Sequence, residues 1–334
     1  MSEKHGSFFR FLNFAYYVYR RNNWMFDLSR YYRDFNEIEI EKPVFLLGTQ
    51  GGGLTLISRM LRRNKNVVSV TGDHQYWSGA DEMQNVLGPI LPPELTGIKH
   101  KAPSDEVFLT PRGWLYATDR LIQDYRNDQS DVNPELKRRF RGILRWVIAR
   151  NSSGQTPRFT DKSQVFTVKV SFLNKLLEGS DPKFVLITRN PYAVCYRSAK
   201  GKARSLDLLK GEFSLKERVE FAAQHWTNSM KYALEDREKV DSFLVVRFED
   251  ILREPKEHLQ AICSFAGLSY SEDMLPQPEH EIPFGSRFYD RWYPLRPEVN
   301  KKYFKEMNPE HLKIISSRCE EYAEEFGYSR PDLR

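Results

Sequence analysis

The apolar positions of this chain gather into a few short, unbroken runs, with longer stretches of helical spacing between them. Pro43–Leu47 (PVFLL) is the first run, and it stops abruptly at GTQGGG. The segment that follows, LTLISRMLRR, carries its apolar side chains at helical spacing. A short run apolar at every position, bounded by turn residues, predicts a strand buried on both faces. Val67–Val70 (VVSV) predicts a second strand ending at Thr71-Gly72, and Arg158–Thr160 a short third one leading into Asp161-Lys162-Ser163. Lys183–Thr188 (KFVLIT) and Phe243–Arg247 (FLVVR) are further buried runs. Helical spacing covers Val170–Leu177, Leu215–Glu235, an amphipathic stretch through Phe265, and Pro309–Phe326, with a basic helix around Lys137–Arg150. Alternating strands and helices predict a three-layer α/β fold, a central parallel sheet with helices on both faces. Such sheets bind ligands at the C-terminal ends of their strands.

Residues 80–155 break the alternation with Pro-rich segments such as ILPPEL and the loop-like NSSGQ. They read as an insertion that shapes an acceptor site rather than as a separate domain. The chain, residues 1–334, is then one domain with a helical segment, 1–40, at its N-terminus. That segment contains SFFRFLNFAYYVYRRNNWMF, but Arg10 and Asn13 interrupt it and the run Phe14–Tyr19 is far too short to span a bilayer. It lacks a small-residue cleavage site. Two readings stay open: a helix packed on the domain, or a peripheral membrane contact through its aromatics and Arg20 and Arg21.

Composition narrows the ligand. The 51 Lys and Arg are interspersed with 45 Asp and Glu, for a net charge of +6. That excess suits an anionic small molecule and argues against a broad nucleic-acid face. The three cysteines, Cys195, Cys263 and Cys319, lie far apart. Their number and spacing argue against a disulfide framework or a zinc cluster and fit a reducing, cytoplasmic setting.

Gly48–Thr55 has the spacing G-x-x-x-x-G-x-T between a predicted strand and a predicted helix. Successive backbone N–H groups in such a loop point inward at phosphate oxygens, and the helix adds its positive N-terminal end. Leu54 stands where a nucleoside-triphosphatase carries the lysine that reaches the β- and γ-phosphates. The loop therefore speaks against a kinase or an ATP- or GTP-hydrolysing enzyme and leaves a nucleotide with a shorter 5' chain.

With three further segments in order, the chain resembles the sulfotransferases that use 3'-phosphoadenosine 5'-phosphosulfate (PAPS), a family with a P-loop-like fold. The segments are TDKSQ, KFVLITRNPYAVCYRS and FLVVRFEDILREPKEHLQAICSFAGL. The resemblance implies that Gly51, Gly52, Gly53 and Leu54 form a cradle around the 5'-phosphosulfate, with the Thr55 hydroxyl on the 5'-phosphate. Arg189 matches the arginine that clamps the 3'-phosphate. Ser198 is the candidate for the serine beside it, although Arg197 occupies the strictly matching position. Phe248 matches an aromatic near the adenine. Arg291 lies in RFYDRWYPLR, where the family closes a loop over the nucleotide.

Two departures matter. The family places Lys or Arg where Gly51 stands, to neutralise the leaving phosphate. Another cation must replace it, Lys162 in the first instance and Arg189 or Arg197 in the second. In other branches a base histidine stands where this chain has Gln164, which disfavours the small-phenol and steroid enzymes. Asp73, in a Gly-Asp context after the second strand, resembles the carboxylate base of part of the family. His74 is the alternative, ahead of His100 and His225, the last of which reads as packing beside Trp226. The implied reaction is a single in-line transfer of a sulfuryl group to a carbohydrate, glycan or lipid-type hydroxyl, with no metal. The alternative reading, motivated by Gly51, is a nucleotide- or glycan-binding member of the fold without catalysis.

Overall fold

Val44–Leu47 leaves no polar side to face water, and all four of its side chains are fully buried in strand β1. In the computed structural model, which describes residues 35, 37–70, 82–88, 90–95, 115–152, 157–202, 213–276 and 295–332, β1 is the middle of a five-stranded parallel sheet. The other strands are β2 (Val67–Val68), β3 (Arg158–Asp161), β4 (Lys183–Thr188) and β5 (Phe243–Arg247), in the order β2-β3-β1-β4-β5. Register runs through Val44↔Thr160 on one side of β1 and Val44↔Lys183 on the other. The chain thus leaves β1 toward one edge and later returns to build the other. That reversal opens a crevice at the C-terminal end of β1.

Alternation along β1 divides the core. Phe45 and Leu47 enter one apolar cluster, while Val44 and Leu46 enter a second with Leu54, Ile57, Met60 and Leu61 of helix α1 (Leu54–Leu61). Phe45 stacks on Phe184 at 5.7 Å and meets Phe166 edge-on at 5.9 Å. Both faces of the sheet are therefore sealed, and the three-layer fold expected from the sequence is what forms.

The remaining principal helices are α2 (Pro134–Asn151), α3 (Val170–Leu176), α4 (Pro191–Arg197), α5 (Leu215–Arg237), α6 (Phe248–Arg253), α7 (Pro255–Ala266), α8 (Lys301–Glu306) and α9 (Pro309–Glu325). Three of them begin at Asn-Pro. Asn133, Asn190 and Asn308 accept N–H bonds from Leu136, Tyr192 and His311, while the proline supplies a preset first turn. Helix α5 starts with a reciprocal capping box between Ser214 and Glu217. Two edges differ from the sequence reading. β2 stops at Val68, pairing β3 only through Val67↔Arg158 and Val68↔Phe159, and β3 runs one residue further, to Asp161. Within the stretch read as an insertion, Tyr116, Tyr125, Phe140 and Leu144 are buried in the same cluster as Phe45.

His225 lies on the buried face of α5, as expected for packing. Its Nδ1 accepts the Ala117 N–H at 3.3 Å and its ring meets Tyr116 edge-on at 4.7 Å. Burial pushes its pKa down to about 3, well below the ordinary value, so the folded protein resists protonation there. Above the ordinary histidine value the group is neutral in both states and does not affect stability. As pH falls from about 6.5 toward 3 the unfolded chain takes up a proton that the folded chain refuses, so stability should drop by about 1.4 kcal/mol per pH unit. Urea unfolding across that range tests this, with His225→Gln expected to flatten the slope.

Candidate functional site

Four of the five strands deliver a sequence-predicted segment to the same end of the sheet, that of their C-termini. β1 runs into the glycine loop, β3 into Lys162, β4 into Arg189 and β5 into Phe248. Asp73, His74, His100 and Arg291 lie outside the described residues.

The loop begins at Gly48, whose N–H donates to Thr167 Oγ1 at 2.8 Å, while the same hydroxyl donates back to the Gly48 carbonyl at 3.2 Å. Gly52 N–H closes a tight turn on the Thr49 carbonyl at 2.9 Å. Gly53 then caps α1 in the left-handed region at φ 100°, with no side-chain cap and no acidic residue in the first turn. The first-turn amides of Leu54 and Thr55 have no intrahelical acceptor, and the helix end is electropositive. Leu54 is itself buried, so it contributes backbone here, and Thr55 is half-buried at the loop's exit.

Gly53 is fixed by its neighbour as well as by its φ. A Cβ there would sit 2.2 Å from the Phe248 ring. Gly53→Ala should therefore cost about 1–2 kcal/mol for the left-handed backbone and about 1–3 kcal/mol for overpacking. Adding Phe248→Leu should recover the second part only, as read by denaturant midpoints.

Arg189 is the most constrained side chain of the site. Its Nη1 donates to the Gly51 carbonyl at 2.6 Å, and its Nε and Nη2 donate to Asn300 Oδ1 at 3.1 and 2.7 Å. The guanidinium carbon lies 5.2 Å from the centre of the Phe248 ring. Burial first, and the neighbouring Arg197 charge second, lower its pKa to about 10, with Glu249 acting in the opposite direction. It stays charged at neutral pH. Glu249 accepts from Asn190 N–H at 3.0 Å, Asn300 Nδ2 at 2.5 Å and the Tyr328 hydroxyl at 2.9 Å. Neither Glu249 nor Asn300 was anticipated. Glu249 belongs to the FED segment and carried a signal, whereas Asn300 carried none.

Arg197, at the end of α4, reaches the loop. A Cβ built on Gly51 would meet Arg197 Nη1 at 2.3 Å and Cζ at 3.2 Å. That Nη1 is buried and has no hydrogen-bond acceptor among the described residues. Ser198 is the buried residue that follows, at the helix cap.

Lys162, the first choice for the replacing cation, is 2% exposed and its Nζ lies 3.0 Å from Glu82 Oε1. Its neighbours hold the same segment. Asp161 accepts Met83 N–H at 2.7 Å and Ser163 N–H at 2.6 Å, and Ser163 Oγ accepts Gln84 N–H at 3.0 Å. Burial raises the Asp161 pKa to about 6, and nearby Glu82 adds to the rise. A raised carboxyl favours the folded state fully below its ordinary value and loses that share as pH rises through about 6.

The arrangement can hold a doubly phosphorylated anion, one phosphate at the amide cradle and Arg197 and another at Arg189. An orphaned buried guanidinium N–H and a cradle that side chains would fill are what such a ligand needs. No cluster of His, Cys, Asp or Glu suited to a metal ion occurs among the described residues, and none of their helices is long and apolar enough to cross a membrane.

Residues 43–272 match the profile of a family described as the sulfotransferase family. No curated protein matches the chain. Among solved structures, the sulfotransferase domain from the curacin biosynthetic pathway is similar, with a TM-score of 0.54 at 16% identity over 88% of this chain and 100% of that one. A sulfotransferase from Mycobacterium avium gives a TM-score of 0.52 at 13% identity over 93% of this chain and 82% of that one.

Proposed function

The chain belongs to the sulfotransferase family, and on that premise we propose that it transfers a sulfuryl group from PAPS to a hydroxyl of a carbohydrate, glycan or lipid-type acceptor. PAPS supplies the activated sulfuryl group; the chain binds, orients and neutralises. The observation that carries the reading is the convergence of the amide cradle after β1 with Arg189 after β4, which suits one ligand bearing both a 5'- and a 3'-phosphate. In this reading Gly51, Gly52, Gly53, Leu54 and Thr55 hold the 5' end, Arg189 and Ser198 the 3'-phosphate, and Phe248 and Arg291 flank the nucleotide. Asp73 or His74 takes the acceptor's proton.

Transfer of labelled sulfate from PAPS to a panel of sugar, glycolipid and lipid hydroxyls tests the reaction. Calorimetry with the desulfated product, 3'-phosphoadenosine 5'-phosphate, tests the site. Binding of that product in the micromolar range together with transfer is expected. Absence of both overturns the proposal, and binding without transfer to any acceptor favours the non-catalytic reading.

A further inference from the structure

Resting on that reading, we propose that Arg197 is the cation of the transfer step, delivered from helix α4 into the space that Gly51 leaves open. In the step, the acceptor oxygen bonds to sulfur and the bond between sulfur and the bridging oxygen breaks. Its electron pair stays on the 5'-phosphate, and the acceptor's proton passes to the base. Negative charge therefore grows on the bridging oxygen, beside the glycine loop.

Three observations point to Arg197. The first is volume. Its guanidinium occupies the place where a side chain at position 51 would begin, with Nη1 2.3 Å from the Cβ position and Val194 Cγ2 at 3.4 Å behind it. Any side chain there would displace the arginine. The second is backbone. Gly51 sits at φ 82°, in the left-handed region where a side chain is strained. A cation carried by the loop itself would start from an unfavourable conformation, whereas one carried by α4 does not. The third is satisfaction. Each guanidinium nitrogen of Arg189 already has an acceptor in Gly51 or Asn300, and Lys162 is paired with Glu82. Arg197 keeps a buried N–H donor with no acceptor among the described residues. A buried charged donor without an acceptor is costly to maintain. An oxygen that becomes negative only during reaction satisfies it at the moment it matters most.

The same geometry separates the two arginines that one strand–turn–helix segment supplies. Arg189 is locked in place before ligand arrives, as a binding group should be. Arg197 is pressed against the loop with a buried N–H that has no acceptor among the described residues, as a group that answers developing charge should be.

The test compares Arg197→Gln, Arg197→Lys, Gly51→Ala and the double variants Gly51→Ala/Arg197→Gln and Gly51→Lys/Arg197→Gln. It reads kcat and KM for PAPS, calorimetric affinity for the desulfated product, and thermal unfolding. Arg197→Gln should lose about 100- to 1,000-fold in kcat while product affinity changes by less than about tenfold. Arg197→Lys should retain part of the rate, because the charge survives and the fork does not. Gly51→Ala should lose rate by pushing the guanidinium aside, and adding it to Arg197→Gln should cost nothing more. Gly51→Lys/Arg197→Gln should regain rate over Arg197→Gln, since the charge returns from the other side of the contact. A kcat within about threefold of the parent in folded Arg197→Gln and Arg197→Lys overturns the proposal. So does a product affinity that falls in step with kcat, which would make Arg197 a ground-state phosphate contact. If the parent protein itself neither binds the product nor transfers sulfate, the sulfotransfer reading falls, and this one with it.

Discussion

Arg189→Ala should weaken binding of 3'-phosphoadenosine 5'-phosphate by about a hundredfold or more, since truncating one side of a buried charge pair costs about 2–5 kcal/mol. The side chain is 4% exposed and keeps its charge at neutral pH despite a pKa lowered to about 10. Its truncation takes a donor from the Gly51 carbonyl and leaves Asn300 Oδ1 without the guanidinium fork. The diagnostic reading is selectivity. The parent protein should bind the 3',5'-bisphosphate far more tightly than adenosine 5'-phosphate, which lacks the 3' group. In Arg189→Ala the two should bind alike, because what is lost is the contact that tells them apart. Calorimetry with both nucleotides decides it. A variant that keeps the parent's preference would show that Arg189 serves the loop alone, through Gly51. Arg189→Lys should recover little, because one ammonium cannot bridge Gly51, Asn300 and a phosphate at once.

What could be read from the sequence, and what could not, follows from the range of the interactions involved. β1 and the apolar centres of β4 and β5 were legible as unbroken apolar runs, whereas β3 (RFTD) is polar at three of its four positions and β5, at the sheet's edge, is mostly half-buried. β4 and β5 have the bounds their runs predicted, and β1 differs by its leading proline. The starts of α5 and α9 were read at Leu215 and Pro309, where they lie, while α2, capped by Asn133, was read only from around Lys137. The glycine loop was legible as the turn between a strand and a helix, with the spacing of a phosphate cradle. Gly51 was legible as a missing charge, with Lys162 and then Arg189 or Arg197 as candidate replacements. That Arg197 fills its place is a contact through space, created by β1 and β4 lying side by side, and no spacing in the chain encodes it. The same holds for Asn300, 111 positions from the Arg189 it holds, and for Glu82, 80 positions from Lys162. The roles of Asp73, His74 and Arg291 rest on the resemblance alone.

Lys162→Met should lower stability by about 3–5 kcal/mol, the usual result of removing one member of a buried ion pair. Glu82 would lose the ammonium 3.0 Å away while staying buried, its other oxygen still accepting from Gln84 Nε2 at 2.8 Å. Lys162→Met/Glu82→Gln should return most of the loss, because a neutral amide can keep the Gln84 bond and needs no cation. The two variants also decide what Lys162 is for. Asp161, Lys162 and Ser163 each grip one residue of Glu82-Met83-Gln84, so the three-residue motif works as a clasp on the segment that directly follows residues 71–81 in the chain. Asp73 and His74, the proposed bases, stand in that preceding stretch. On this reading Lys162 acts on the reaction by fixing the anchor from which the base is carried, and the double variant should regain sulfotransfer together with its melting temperature. Recovery of the melting temperature with sulfotransfer still absent would instead place the Lys162 ammonium against the reacting groups, and would move the transfer-step charge away from Arg197.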